Sequence, residues 1–406
     1  MACGPAQGQS LSGPEPPRGW ASILSTHHVW LIYIKLLAMI SAVPAEIHLK
    51  LGEGRISGYL SALLGLCAFG GVLCYHFPQA LTTAELRAAY DPEVLREVLY
   101  WVLVTASVCG ALNFLFEHGR KAAIVGLTSC LAAVVCGGST VEATGAPASA
   151  LAIGLDWLIL GLLVSALVFI PIEKAWPYRR KQPILRKEWW TDFQYFAINS
   201  LLVSYILLVT VKAVPVTMTW AVSDTLQTTV RSWPFAVQFI AAVICADLAQ
   251  YWMHRCYHSK YMWKIHAVHH SAVAMDWLAG SRIHFVEMLL TRVSILSVLF
   301  LVGFSEAPME AYIVLVGLQA VFIHANVGIN FGVLNYLVAT PQFHQWHHSD
   351  DREAADTNFA VHLPVIDLIF GTFRIPKGQW PKSFGVIGPP VPSGIVRQAI
   401  YPFRKS

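Results

Sequence analysis

Long apolar runs are the feature that most restricts how this 406-residue chain can fold. Residues 57–77, SGYLSALLGLCAFGGVLCYHF, contain no charged side chain. A helix needs about 20 mostly apolar residues to cross a bilayer, and lipid satisfies no backbone hydrogen bond, so such a run must be helical. A weaker candidate, 28–46, is interrupted by Lys35. Seven further runs are candidate spans: 98–116, 122–141, 151–172, 195–218, 234–252, 289–304 and 309–331.

The composition agrees with a membrane protein. Only 13% of the residues are charged and 55% are hydrophobic, whereas a soluble domain carries about 25% charged residues. The net charge of +4 is modest and comes without a Lys/Arg block of the kind that follows a phosphate backbone, which argues against nucleic acid as a partner. The eight cysteines form no CxxC pair, and we interpret them as small buried hydrophobic residues. We therefore predict an all-α fold, a polytopic transmembrane helical bundle.

The polar connections predict how the bundle is oriented. The basic segments are RRKQPILRK at 179–187, the histidine-rich stretch 254–288 and the C-terminal RKS. All three lie on one side of the membrane if 195–218 pairs with 234–252 and 289–304 pairs with 309–331. The positive-inside rule makes that side cytoplasmic. We expect a multi-pass membrane protein with a cytoplasmic, histidine-rich helical cap; the sequence leaves the identity of the membrane open.

The chain divides into four predicted parts. Residues 1–26 are Gly- and Pro-rich, lack a signal-peptide pattern and are predicted to be a disordered tail. Residues 27–150 form an N-terminal transmembrane extension, and the Ala/Gly/Pro-rich run 142–150 marks its boundary. Residues 151–376 form the main domain, and 377–406 a C-terminal tail. Within the extension, TTAE at 82–85 is either the capped start of a short interfacial helix or a solvated connector.

Histidines occur in three clusters with helical spacing. His254 and His258 are four residues apart, and two HxxHH patterns follow, His266/His269/His270 and His344/His347/His348. Residues three and four apart share one face of a helix, so each cluster can direct its rings at one point. Eight imidazoles exceed the roughly four ligands of one zinc ion, which favours two metal ions. Other histidines, including His362, are scattered and are interpreted as ordinary core or surface residues.

The imidazole ligands limit which metals can bind but leave several functions open. Imidazole suits Zn, Cu, Fe and Ni, whereas Ca and Mg prefer oxygen ligands. The HExxH pattern of zinc proteases is absent from the sequence. A histidine-rich membrane metal transporter is the main alternative, although transporters place their ligands near the middle of the bilayer. A membrane scaffold without catalysis is a third hypothesis.

Four motifs resemble the fatty acid hydroxylase / sterol desaturase superfamily. They are DLAQYWMHRCYH at 247–258, WKIHAVHH at 263–270, PQFHQWHH at 341–348 and DLIFGTF at 367–373. The segment 173–199 resembles the sequence that introduces this domain, so the resemblance covers about 170–376 and excludes 1–150. It implies an integral membrane enzyme with two iron ions that uses O2 to hydroxylate or desaturate a lipid C–H bond. The substrate (sterol, fatty acyl, ether lipid or carotenoid) stays open.

The resemblance also implies a ligand set. It comprises the eight clustered histidines, His324 in FIHANVG and His284 in SRIHFVE, which is either a ligand or a residue that supports one. Metal-bound imidazoles need partners for their outer N–H groups. Candidates for this role are Asp247, Glu287 and Asp356, each of which has an ordinary helix cap or ion pair as the alternative. Asn326 and Asn358 could serve the same role by hydrogen bonding.

Electrons must come from outside the chain. The sequence contains no flavin or NAD fingerprint, no cysteine spacing for an iron–sulfur cluster and no HPGG motif of cytochrome b5. We expect an external donor, cytochrome b5-like or ferredoxin-like, at the cytoplasmic face. The basic run 179–187 is either part of its docking site or a contact for lipid headgroups.

Overall fold

The computed structural model describes residues 56–116, 120–142 and 152–404. The predicted tail at 1–26, the weak span at 28–46, His27, His28, His48, His118 and most of the boundary run at 142–150 lie outside these residues. The described residues form helices joined by loops, and they contain two isolated β-bridges but no β-strand. The all-α prediction is confirmed.

Six helical segments are long and apolar enough to cross a membrane. They are Ile56–His76 (α1), Pro92–Phe116 (α4), Lys121–Thr140, Leu155–Ala175 (α6), Phe235–Tyr257 (α10) and Phe285–Val302 (α12). Lys121–Thr140 consists of α5 (Lys121–Val135) and a following 3-10 turn. The short helices α2 (Pro78–Leu81) and α3 (Ala84–Ala89) connect α1 to α4. Each of the six segments overlaps a span predicted from the sequence.

The short helix predicted near TTAE is present, and its cap ties the N-terminal helices to the next span. Thr83, one residue later than the pattern suggests, caps α3 by accepting a hydrogen bond from the Leu86 N–H. The backbone N–H of Thr83 donates to Asp156 Oδ2 at 2.8 Å. Asp156 lies in the first turn of α6, so its buried charge is satisfied by the connector.

Two predicted spans differ in the structure. The run 195–218 is divided between α7 (Trp189–Leu201) and α8 (Val203–Met218). At the break, the Leu201 carbonyl accepts from the Gly154 N–H, which joins the end of α7 to the start of α6. The run 309–331 forms α13 (Glu306–Phe322), which stops because the following backbone bonds to the end of α6. Those bonds run from Tyr178 N to the Asn326 carbonyl and from Gly328 N to the Trp176 carbonyl.

The remaining elements gather the histidine-bearing segments at one end of the bundle. Both α6 and α10 end there, and α12 begins there. At the opposite end, α9 (Asp224–Arg231) contacts the end of α12 through a 2.8 Å bond from Gln227 Nε2 to the Phe300 carbonyl. The cap contains α11 (Trp263–His270), α14 (Pro341–His347), α15 (Val365–Ile369) and α16 (Ile395–Ile400). The C-terminal residues pack on the cap, where the Gly385 N–H donates to the His348 carbonyl.

Helices α1, α4 and α5 pack closely because small residues line their contacts. An added Cβ at Gly126 would lie 2.6 Å from the Ser61 carbonyl oxygen and nearer still to the Ser61 hydroxyl. An added Cβ at Gly65 would lie 2.6 Å from the Gly126 carbonyl oxygen. Small residues of this kind let helix backbones approach in a membrane, where packing rather than the hydrophobic effect drives helix association.

Replacement of Gly126 by Val should therefore separate α1 from α5. Overpacking of a tight interface costs about 1–3 kcal/mol, so the melting temperature of the detergent-solubilised protein should fall. The control is Gly317→Ala in α13, where an added Cβ meets nothing within 4 Å. Equal melting temperatures for the two variants would contradict the assigned packing.

Candidate metal centre

Nine of the ten histidines predicted as ligands converge at the capped end of the bundle. His254 lies in the last turn of α10, and His258 is the residue that ends this helix. The second cluster lies on α11, and the third on α14 and its C-cap, His348. His324 follows the end of α13 by two residues. Helical spacing thus brings the rings of each cluster to one side, as predicted.

The nine rings form two groups rather than one. Within each group the potential ligand nitrogens all lie within 4.8 Å of one another. The larger group contains His254, His258, His266, His270 and His347, and the smaller contains His269, His324, His344 and His348. Both HxxHH clusters are split between the groups. All nine rings are buried except His258, which is partly exposed.

The Nε2 atoms face each other at short distances. In the larger group, His266 Nε2 lies 3.0 Å from His254 Nε2 and 3.1 Å from His270 Nε2. In the smaller group, His324 Nε2 lies 3.3 Å from His269 Nε2 and 3.1 Å from His344 Nε2. Two nitrogens bound to one ion at about 2.0–2.1 Å are themselves about 3.0–3.4 Å apart. The spacing therefore fits shared metal ligands.

Hydrogen bonds at the outer nitrogens fix the tautomers. His254 Nδ1 donates to the Phe359 carbonyl at 2.7 Å, and His266 Nδ1 donates to Glu287 Oε1 at 2.8 Å. Because these partners only accept, the Nδ1 atoms carry the protons, and the two facing Nε2 atoms present lone pairs. A cation between such lone pairs turns repulsion into coordination.

The smaller group shows the same arrangement. His269 Nδ1 donates to the Arg282 carbonyl at 3.1 Å, and His324 Nδ1 donates to the Ala320 carbonyl at 2.7 Å. Their Nε2 atoms, 3.3 Å apart, are therefore both acceptors. The donor set of both groups fits a metal that prefers imidazole nitrogen.

Most of the rings are held in the neutral state that binds metal. Burial lowers the pKa of His324 from 6.5 to about 4. Burial, followed by the neighbouring rings, lowers the pKa values of six others well below 6.5: His266, His269, His270, His344, His347 and His348. Neutral imidazole is the form that ligates a metal, so no proton has to be displaced at neutral pH.

Two of the five residues proposed as partners for outer nitrogens contact a ring. Glu287 accepts from His266, as described above, and Asp356 Oδ1 accepts from His258 Nδ1 at 2.9 Å. The hydrogen bond from His258 lowers the pKa of Asp356. Both carboxylates serve the larger group. In the smaller group, the Nδ1 atoms of His344 and His348 have no partner among the described residues.

The other three proposed partners contact backbone rather than rings, which corrects the prediction. Asp247 is fully buried and accepts from the amides of residues 361–363. Asn326 bonds to both the amide and the carbonyl of Arg179. Asn358 donates to the Phe343 carbonyl at 2.8 Å and lies between Thr357 and Phe359, whose carbonyls accept from ligand histidines. These side chains position the segments that carry the rings or their acceptors.

His284 lies outside both groups, so the structure does not support it as a ligand. It is the N-cap of α12: its Nδ1 accepts from the Val286 N–H at 3.2 Å. Its Nε2 donates to the Ala399 carbonyl at 3.0 Å, so both ring nitrogens are occupied. By capping α12, His284 supports the helix turn that presents Glu287.

A buried charge network under the smaller group was not predicted from the sequence. Arg282, whose carbonyl accepts from His269, bonds through Nε to Asp192. Asp192 also accepts from Arg186 at 2.7 Å, and Arg186 bonds to Asp276 at 2.8 Å. Buried ion pairs of this kind are strongly destabilised when one partner is removed. Two of these pairs, Arg282–Asp192 and Arg186–Asp276, join residues 90 apart in the sequence, so no local sequence pattern predicts them.

Residues 239–372 match the family profile described as fatty acid hydroxylase. This range contains all nine converging histidines. This segment of the chain is therefore similar to the fatty acid hydroxylase family, in agreement with the resemblance of the histidine motifs. Part of the support for the site, including Glu173, Arg186 and Asp192, lies before the matched range. Glu173 Oε1, at the end of α6, accepts from the amides of Trp277 and Asn326.

Several curated proteins are similar to part of this chain. Ornithine lipid hydroxylase OlsE of Rhizobium tropici is 30% identical over 178 residues, 43% of this chain and 52% of that protein. Human alkylglycerol monooxygenase is 28% identical over 146 residues, which are 35% of this chain and 32% of that protein. Very-long-chain aldehyde decarbonylase GL1-6 of rice is 27% identical over 155 residues, which are 34% of this chain and 24% of that protein. The match thus spans about half of the first relative and a third or less of the other two. No solved structure matches the chain.

Removal of the Glu287 carboxylate should weaken metal binding to the larger group. Loss of a partner for a ligand histidine typically costs 10- to 100-fold, or about 1.4–2.7 kcal/mol, in metal affinity. Glu287→Ala should show this loss in a titration with a competing chelator. His284→Ala is the matched control on the same helix start: it should lose about 1 kcal/mol of stability as a lost N-cap but retain metal affinity. A loss of metal with His284→Ala and not with Glu287→Ala would contradict the assignment.

A side chain at Gly280 should displace His324. An added Cβ there would lie 2.7 Å from His324 Nδ1 and 3.1 Å from the Ala320 carbonyl that this nitrogen contacts. Gly280→Val should therefore reduce the metal content of the purified protein by about one ion per chain. Gly317→Ala is again the control, and a full metal content in Gly280→Val would show that His324 is not needed.

Proposed function

We propose that this protein is a membrane-bound di-iron oxygenase that hydroxylates a lipid C–H bond. The observation that carries the proposal is the convergence of nine histidines into two groups with facing Nε2 atoms. Support also comes from the names of the relatives, two of which are a lipid hydroxylase and a monooxygenase. Those names favour hydroxylation over desaturation. The substrate class is a membrane lipid; sterol, fatty acyl and ether lipids remain alternatives.

The histidines divide naturally between two ions. His254, His258, His266, His270 and His347 would hold one iron, and His269, His324, His344 and His348 the other. Two iron ions, when bound, supply the activation of O2 with electrons from an external donor. The smaller group has four rings and no carboxylate partner, so it offers more open coordination than the larger group.

The protein's residues orient the ligands and exclude water. Carbonyls of Phe359, Thr357 and Arg282 hold Nδ1 protons and so fix ring orientation without adding charge. Glu287 Oε1 accepts from His266 Nδ1 and fixes that ring of the larger group in the same way. Phe359, which is fully buried, packs against the rings of His254, His258 and His347 and helps to exclude water from the larger group. A dry and rigid shell favours oxidation of substrate over side reactions with water.

The histidine end is proposed to face the cytoplasm. It carries Arg179, Arg255 and Lys264, and its cap also contains Arg374. The connectors and helix ends on the opposite side carry fewer basic residues, among them Arg87, Arg96 and Arg231. This distribution agrees with the positive-inside rule.

An external electron donor is proposed to dock on the cytoplasmic face. Within the basic run 179–187, Arg186 is buried in ion pairs and therefore unavailable for docking. Arg180, Lys181 and Lys187 are exposed. These three residues are free to contact either an acidic donor, cytochrome b5-like or ferredoxin-like, or anionic lipid headgroups.

Reconstituted protein should add one oxygen atom to a lipid only when O2, iron and a reductant are present. The measurement is mass spectrometry of the lipids after incubation, with 18O2 as the label. His347→Ala and His269→Ala, one from each group, should each abolish the product, because each removes an iron ligand. The control is His76→Ala, whose ring bonds to the Cys136 carbonyl far from both groups.

Three results would contradict the proposal. Label from water instead of O2 would exclude an oxygenase. Transport of metal into liposomes that is unaffected by removal of O2 would favour a transporter. Product formation by both ligand variants at the wild-type rate would exclude these groups as the active site.

A further inference from the structure

Two short segments of the cap expose apolar side chains although neither can cross a membrane. One is residues 332–338, which begins with the 3-10 turn Gly332–Tyr336, and the other is residues 365–370, which includes α15. We call them together the apolar platform. Neither segment contains an exposed charged residue. Their most exposed members include Val333 at 76%, Leu337 at 58% and Ile369 at 71%.

Both segments bury their polar side chains and expose their apolar ones, the opposite of a surface that faces water. In the first, Asn335 is buried and donates to Gln342 Oε1 at 3.2 Å, while Val333, Leu334 and Leu337 point outward. In the second, Asp367 is fully buried and accepts from the amides of Phe359 and Ala360 at 2.7 and 2.8 Å. A surface that hides its polar groups and exposes its apolar ones is suited to contact with lipid or with another apolar surface.

The platform is continuous with the membrane-spanning surface. Phe370 packs on Tyr251 and Trp252 of α10, with ring centroids 5.0 Å apart in each case. Trp252 is 48% exposed and lies two residues before His254, about 3 Å along the helix axis. On the other side, the Ala339 carbonyl accepts from Gln319 of α13 at 2.6 Å, next to exposed Leu318. The platform therefore lies at the level where α10 and α13 reach the cap.

The two segments are also joined to each other and to the histidine groups. Tyr336 stacks on Phe373 at 5.0 Å, and the Ala339 N–H donates to the His362 carbonyl at 2.8 Å. The first segment leads directly into Thr340, which caps the helix that carries His344 and His347. The second contains Asp367, which fixes Phe359, the acceptor for His254.

We propose that the apolar platform inserts into the lipid leaflet next to the cap and seats both histidine groups at the membrane surface. The occupant of this surface is the shallow acyl region of the bilayer. Apolar faces of interfacial segments are buried about 5–10 Å into that boundary. The absence of exposed charge in the two segments, and their continuity with α10 and α13, favour lipid over a soluble partner. This inference does not depend on the chemistry at the histidines.

The test places a fluorescent label on the platform in nanodiscs of phosphatidylcholine. Single cysteines at Leu337→Cys and Ile369→Cys are labelled with an environment-sensitive dye, in a background in which the reactive Cys3 and Cys256 are replaced by Ser. The control is Glu353→Cys, an exposed carboxylate elsewhere on the cap. Metal content of each variant reports whether the cap is intact.

Lipids brominated near the start of the acyl chain should remove most of the emission at residues 337 and 369 and leave that at residue 353 unchanged. Aqueous iodide should show the opposite pattern. Equal iodide quenching at all three positions would overturn the proposal, because the platform would then face water. Protection from both quenchers, with cross-linking of two Leu337→Cys chains, would also overturn it and assign the surface to a second copy of the chain.

Discussion

The structure depends on one unfavourable arrangement, the close approach of imidazole lone pairs inside a buried cap. Backbone carbonyls and two carboxylates fix the protons of most of these rings at Nδ1, so the Nε2 atoms that face inward have only lone pairs to present. Neutral rings at 3.0–3.3 Å with this orientation repel each other. The rest of the cap serves to hold them there, and a metal ion converts the same geometry into a strong attraction.

The supports for the rings come from the whole length of the second part of the chain. Glu173 at the end of α6 fixes the amides of Trp277 and Asn326, and Asp247 of α10 fixes residues 361–363. The Arg282–Asp192 pair ties the acceptor of His269 to α7. The spans and the cap are thus tied together by buried carboxylates that bond to backbone amides or to an arginine of the cap. In the proposed arrangement, the apolar platform lies in the lipid from which a substrate would come, next to the histidine groups.

Much of the fold and of the ligand set could be predicted from the sequence, because apolar runs and helical histidine spacing are local signals. Six spans and the eight histidines of the three clusters follow from them, whereas His324 was implied only by the family resemblance. The division of each HxxHH cluster between two groups could not be predicted, since it depends on how three helices cross. The choice between ligand and support for His284 could not be made, because an imidazole that caps a helix and one that binds metal look alike in sequence. The contacts of Asp247 and Asn326 could not be predicted for a similar reason: distance along the chain does not show whether a polar group meets a ring or a backbone amide.

The most direct measurement is an anomalous difference map of iron-loaded crystals, recorded on both sides of the iron absorption edge. The account predicts two iron peaks in each chain, one within the group of His254, His258, His266, His270 and His347 and one within the group of His269, His324, His344 and His348. A single peak between the groups, or iron bound elsewhere while the rings keep facing each other without it, would contradict the account.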